Sequence, residues 1–125
     1  MIRIAGAFAL LCMSVLPATA AELLMLHQPG CGWCARFEAE IGDAYPNTTE
    51  GATAPLRRVD VTKPWPADLN GIAPERFTPS FVLVDGGKEI ARLRGYPGDQ
   101  FFWYLVDEML AKLPGSAVPA QPPSG

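Results

Sequence analysis

Two cysteines three positions apart, in Cys31-Gly32-Trp33-Cys34, are the residues of this 125-residue chain best placed to do chemistry, and its only histidine, His27, lies just ahead of them. Thiol–disulfide exchange needs one exposed thiolate of low pKa and a second thiol close enough to displace the bound partner. Gln28-Pro29-Gly30 breaks the preceding apolar run, and a helical period begins at Cys31. Cys31 is therefore expected at a helix start, where free backbone N–H groups and the helix dipole favour negative charge and should lower its pKa below the ~8.5 of a free thiol. Cys34, one turn on, opens the apolar stripe of that helix and is expected to be the shielded, resolving thiol. Trp33 reads more readily as an outward-facing partner contact than as core.

Other chemistries fit these residues less well. A lone Cys-x-x-Cys is half of a zinc site, and no second pair follows. His27, Cys31 and Cys34 together could make a three-ligand copper(I) or zinc site, but three ligands on one short turn form an incomplete cage. His27 has an ordinary reading as a half-exposed residue at a strand end and a sharper one as a group tuning the Cys31 thiolate. A purely structural disulfide would close too short a loop to constrain much chain entropy. No metal and no organic cofactor are expected.

These residues must be positioned by the elements around them. Arg3 followed by the uncharged apolar run Ile4 to Leu16, with Pro17 and the small-x-small triplet Ala18-Thr19-Ala20, reads as an export leader over residues 1–20, cleaved before Ala21. Thirteen apolar residues fall short of the ~20 that span a bilayer, so an uncleaved anchor is the weaker alternative. Cys12 leaves with the leader, and the full-length net charge of −3 offers no basic stripe for nucleic acid. Residues 21–27 read as a buried strand. Cys34, Phe37, Ile41 and Ala44/Tyr45 then share a helix face, with Arg36, Glu38, Glu40 and Asp43 elsewhere. A polar loop follows, then a strand from Leu56 to Val61, a proline-rich irregular crossover with one short helical piece near Asp68, a strand from Ser80 to Val84, and a hairpin turn at Asp85-Gly86-Gly87. Lys88 to Arg94 is the partner strand, with Arg92 and Arg94 on a solvated face. A last helix, capped by Asp99, runs through Leu113. Trp65 and Trp103 read as packing residues. Residues 21–113 make one α/β domain, and the Pro/Ser/Ala/Gly tail 114–125 is expected to be disordered.

Leu23 to Cys34, Thr78-Pro79 opening a buried strand, and the terminal amphipathic helix resemble the thioredoxin superfamily over Ala21 to Leu113. The resemblance implies a thioredoxin-like fold: a central mixed sheet of about four strands with helices on both faces. It also implies a cis bond between Thr78 and Pro79, and places Gly32, Trp33, Thr78 and Pro79 as substrate contacts beside the catalytic pair Cys31 and Cys34. More narrowly, Leu-His-Gln-Pro-Gly-Cys-Gly-Trp-Cys-Ala-Arg-Phe, from Leu26, resembles small periplasmic thioredoxin-like proteins encoded with bacterial sulfur-oxidation genes. That implies a monomeric periplasmic reductant of protein thiols and disulfides, recharged by a membrane thiol carrier. A redox-sensing regulatory module and a copper(I)-handling protein are the alternatives.

Three departures stand out. The family's buried acid, which assists proton transfer at the second cysteine, is replaced by Met25, and Glu22 lies on the other strand face. The tryptophan four positions before the first cysteine is His27, and the dipeptide between the cysteines is Gly-Trp rather than Gly-Pro.

Overall fold

The computed structural model describes residues 21–116. The expected leader, with Cys12, and the tail beyond 116 lie outside the described residues. Strands β1 (Ala21–His27), β2 (Leu56–Asp60), β3 (Ser80–Asp85) and β4 (Lys88–Arg94) form one sheet in the order β2-β1-β3-β4. β1 runs parallel to β2 and antiparallel to β3, and β3 and β4 close as the expected hairpin. The two central strands carry the most continuous apolar sequences because both of their faces are covered.

On one face, Leu23 and Met25 of β1 and Phe81 and Leu83 of β3 pack under Cys34, Phe37 and Ile41 and under Phe102, Val106 and Met109 of the last helix. Phe37, Phe81 and Phe102 meet as a ring triangle with centroids 4.8, 5.2 and 5.1 Å apart. Such pairs add roughly 0.5–1.5 kcal/mol each beyond the area they bury. The opposite face, Leu24, Leu26, Val59, Val82 and Val84, is covered by Leu69 and Ile72, with Val61 and Trp65 against them. The helical piece expected near Asp68 is a single 3-10 turn, Ala67–Leu69. Trp65 closes it by donating from Nε1 to the Leu69 carbonyl at 2.9 Å.

The helix that starts at the cysteines is less regular than its periodicity suggests. α1 (Gly32–Phe37) passes into a π-helical stretch, Glu38–Gly42, and then a 3-10 turn at Tyr45–Asn47. The stretch expected to be polar loop holds a short helix, α2 (Thr49–Thr53), capped by the Thr48 hydroxyl, which accepts from the Gly51 N–H at 3.0 Å. It has no apolar stripe to announce it, and its buried residue is Gly51, where any side chain would collide with the Tyr45 carbonyl. β2 stops at Asp60 rather than Val61 because the Asp60 carboxylate turns back to accept from the Thr62 N–H at 2.8 Å and from its hydroxyl at 2.6 Å. The last helix, α3 (Asp99–Leu110), ends a turn earlier than expected, although Leu113 still packs on the core. Its N-cap is Gly98, not Asp99. Trp103 stacks on Tyr45 with centroids 5.9 Å apart, a packing role as expected.

Candidate active site

β1 delivers His27 to its own C-terminal end in the middle of the sheet, and the turn at Gln28–Gly30, with Gly30 at a φ of 77°, swings the chain into α1. Cys31 is the N-cap: its backbone is extended and its sulfur accepts from the Cys34 N–H at 3.1 Å. Donors at a helix N-terminus that already face this sulfur would stabilise it as a thiolate. Cys34, one turn on, is buried on the core face at 6% exposure. The two sulfurs are joined as a disulfide, with Cα atoms 5.2 Å apart. Trp33, between them, is 56% exposed.

A cleft of about 640 Å³ opens beside the disulfide, lined by Met25, His27, Cys31, Gly32, Cys34, Glu38 and Arg58 among others. His27 sits opposite Asp60 in the β1–β2 register. The Asp60 carboxyl is held below its usual range, first by the two Thr62 hydrogen bonds and to a smaller degree by the charge of His27. Among the described residues, no three His, Cys, Asp or Glu side chains are placed to hold a metal ion.

The Thr78–Pro79 bond is cis, as the resemblance implied. The tie between this bond and the cysteines is Gln28, which the sequence reading passed over as a turn residue. Its side-chain amide donates to the Thr78 hydroxyl at 2.8 Å, and its carbonyl accepts from the Cys31 N–H at 3.3 Å. The loop before Pro79 is held from the other side by β4. Arg92 donates to the Ala73 carbonyl at 2.8 Å, and Arg94 pairs with Glu75 at 3.1 Å while its guanidinium lies 5.1 Å from the Phe77 ring centroid. Arg92 and Arg94 thus do more than solvate a strand face, and Phe77 is left half exposed.

Trp33 is braced as well. The Arg36 guanidinium lies 5.2 Å from its ring centroid and pairs with Glu40, which also accepts from the Tyr96 hydroxyl at 3.2 Å. The Tyr96 hydroxyl is pushed up to about 12, by burial first and then by its bond to Glu40, so it remains a donor. Glu38 and Arg58 form a two-pronged ion pair at 2.6 and 2.7 Å on the wall of the cleft. Strand alternation places Arg57 and Arg58 on opposite faces, and only the register with Met25 reveals that Arg58 faces α1 while Arg57 pairs with Asp68 on the far side.

An N-capping cysteine, a buried partner one turn later and a cis-proline loop tied through Gln28 to the first cysteine define a disulfide oxidoreductase of thioredoxin-like fold. Comparison with known proteins agrees. The chain is similar to the periplasmic thioredoxin SoxS of Paracoccus pantotrophus, solved in its reduced form, with 46% identity, 74% of this chain and 97% of that chain covered, and a TM-score of 0.70. It shares its fold with the Malassezia sympodialis thioredoxin Mala s 13 at 18% identity, over 73% of this chain and 76% of that one, with a TM-score of 0.54. Neither the family models nor the curated proteins give a match. The chain belongs to the thioredoxin superfamily.

Proposed function

We propose that this protein is a periplasmic reductant that exchanges disulfides with protein partners, Cys31 attacking and Cys34 resolving. In the reduced state the Cys31 thiolate attacks one sulfur of a partner disulfide. The partner's S–S bond breaks, its other sulfur leaves as a thiolate and takes a proton from solvent, and Cys31 is left in a mixed disulfide. Cys34 loses its proton and attacks the Cys31 sulfur. The second partner sulfur leaves, and the Cys31–Cys34 disulfide forms. Two electrons pass to the partner, and a membrane thiol carrier would return them.

The observation that carries this reading is the unequal setting of the two sulfurs: Cys31 caps a helix and accepts an N–H, whereas Cys34 is buried. Gly32, Trp33, Thr78 and Pro79 would receive the partner chain, with the exposed Trp33 ring its apolar contact. The periplasmic location is supported by the leader-like residues 1–20 and by the similarity to a periplasmic thioredoxin. No helix among the described residues is long and apolar enough to cross a membrane. The role in sulfur metabolism rests on the motif from Leu26 to Phe37. The test is catalytic reduction of insulin by the protein supplied with a dithiol donor. Many turnovers per Cys31–Cys34 pair are expected, and a single stoichiometric exchange would overturn the reading.

A further inference from the structure

The resolving step needs a group to take the Cys34 proton, and Met25 stands where the family has an acid. Burial in apolar surroundings disfavours the Cys34 thiolate, so an unassisted proton loss would slow resolution. The cleft beside the disulfide offers a different carboxylate. Glu38 lies four residues after Cys34, a spacing that puts two side chains on neighbouring parts of a helix surface. Both residues line the same cleft. Arg58, adjacent to Met25 across the β1–β2 pair, reaches over the strand and holds the Glu38 carboxylate with two hydrogen bonds at 2.6 and 2.7 Å. Gly42 leaves room for the seat, since a Cβ there would push that carboxylate aside. An ion pair built only for stability would gain little at this half-exposed surface. A carboxylate fixed in the wall of a cleft roomy enough for several waters, which Cys34 also lines, has a chemical use.

We infer that Glu38, oriented by Arg58, is the proton-relay residue for Cys34, taking over the part of the acid that Met25 has displaced. The inference rests on the exchange reading above. During resolution the Cys34 thiol passes its proton through water in the cleft to a Glu38 carboxylate oxygen. The Cys34 thiolate forms the bond to the Cys31 sulfur, the Cys31–partner S–S bond breaks, and the partner leaves as a thiolate. Glu38 then returns its proton to solvent at the mouth of the cleft. In the opposite direction, when a dithiol donor reduces the disulfide, the same carboxyl group delivers a proton to the Cys34 thiolate. Glu38 touches neither sulfur, and it is a positioning residue acting through water.

The test is single-turnover exchange with insulin, quenched in acid from pH 5 to 9, following the decay of the mixed disulfide by mass spectrometry. Glu38→Gln should slow decay about tenfold at pH 6, with the gap closing toward pH 9 where solvent hydroxide can take the Cys34 proton, an effect smaller than the ~10²–10⁴ of a directly contacting general base. Arg58→Met removes the orienting ion pair but keeps the carboxylate, and should show the same pH-dependent slowing at smaller size. A Glu38→Gln profile superimposable on wild type, a uniform slowing at every pH, or a larger slowing in Arg58→Met than in Glu38→Gln would overturn the relay. Failure of wild type to release the partner at all would instead overturn the exchange reading.

Discussion

Gln28 joins the two halves of the site: its carbonyl accepts from the Cys31 N–H while its side-chain amide, 2.8 Å from the Thr78 hydroxyl, holds the cis-proline loop. The bond spans fifty residues of sequence. Cutting it should loosen the seat of the partner chain more than the fold. Gln28→Ala is expected to raise KM for a protein disulfide several-fold with kcat nearly unchanged. A double-mutant cycle with Thr78→Val should return a coupling of about 1 kcal/mol, the size of one partly buried hydrogen bond. Strict additivity in kcat/KM would leave Gln28 as a turn residue only.

The unequal burial of the two sulfurs predicts unequal behaviour on mutation. Cys34→Ser should accumulate mixed disulfides with its partners, visible on non-reducing gels, because the attacking thiol is left without a resolver. Cys31→Ser should trap none. Both variants should lose catalytic turnover by orders of magnitude, and trapping by Cys31→Ser alone would reverse the assignment.

His27 shares the cleft with Cys31 and faces Asp60 across the sheet. As an electrostatic neighbour it would stabilise the Cys31 thiolate, so His27→Ala should move the acidic limb of the attack rate to higher pH. The slowing should not exceed about tenfold, one pH unit of thiolate population. Metal analysis of the anaerobically purified, reduced protein separates this from a ligand role: near-stoichiometric copper or zinc in wild type, absent in His27→Ala, would make His27 a ligand.

Asp107 on α3 faces Glu50 of α2, and its carboxyl is raised to about 6 by burial first and then by its hydrogen bond to, and the charge of, Glu50. An acid raised above its unfolded value of ~3.9 binds more protons folded than unfolded. Its contribution is therefore full below about pH 4 and disappears as pH rises through 6. Because Asp107 is largely exposed, screening reduces the effect to on the order of 0.5 kcal/mol. Asp107→Asn should raise the melting temperature slightly at pH 7 and flatten its decline between pH 4 and 6. Equal slopes in the two proteins would show that α2 and α3 do not communicate through this pair.

The sheet was legible in the sequence because its signals are local. Residues 21–27 and 80–84 are apolar runs bounded by turn residues, and Asp85-Gly86-Gly87 fixes the hairpin. Cys31 and Cys34 were legible for the same reason, since a helix start can be read from the break at Pro29-Gly30. What escaped depends on register and on long-range contact. Nothing within Leu56-Arg57-Arg58-Val59 says which arginine faces the cysteines, and that is settled only when Met25 pairs with Arg58. Gln28 looked like punctuation because its partner is fifty positions away. The π-helical stretch at Glu38–Gly42 is equally silent, since Cys34, Phe37 and Ile41 keep a spacing an ordinary helix would also satisfy.

Trp33 lies inside the redox-active loop itself, braced by Arg36, while Trp65 sits on the opposite face of the sheet and Trp103 is stacked on Tyr45. A disulfide quenches the fluorescence of an adjacent indole by accepting an electron from its excited state, and a dithiol does so far less. Reduction should therefore brighten one tryptophan of the three. Trp33→Phe should abolish the change while leaving the emission of Trp65 and Trp103 in place. An exposed indole set between the two cysteines would give the molecule an optical readout of its own oxidation state.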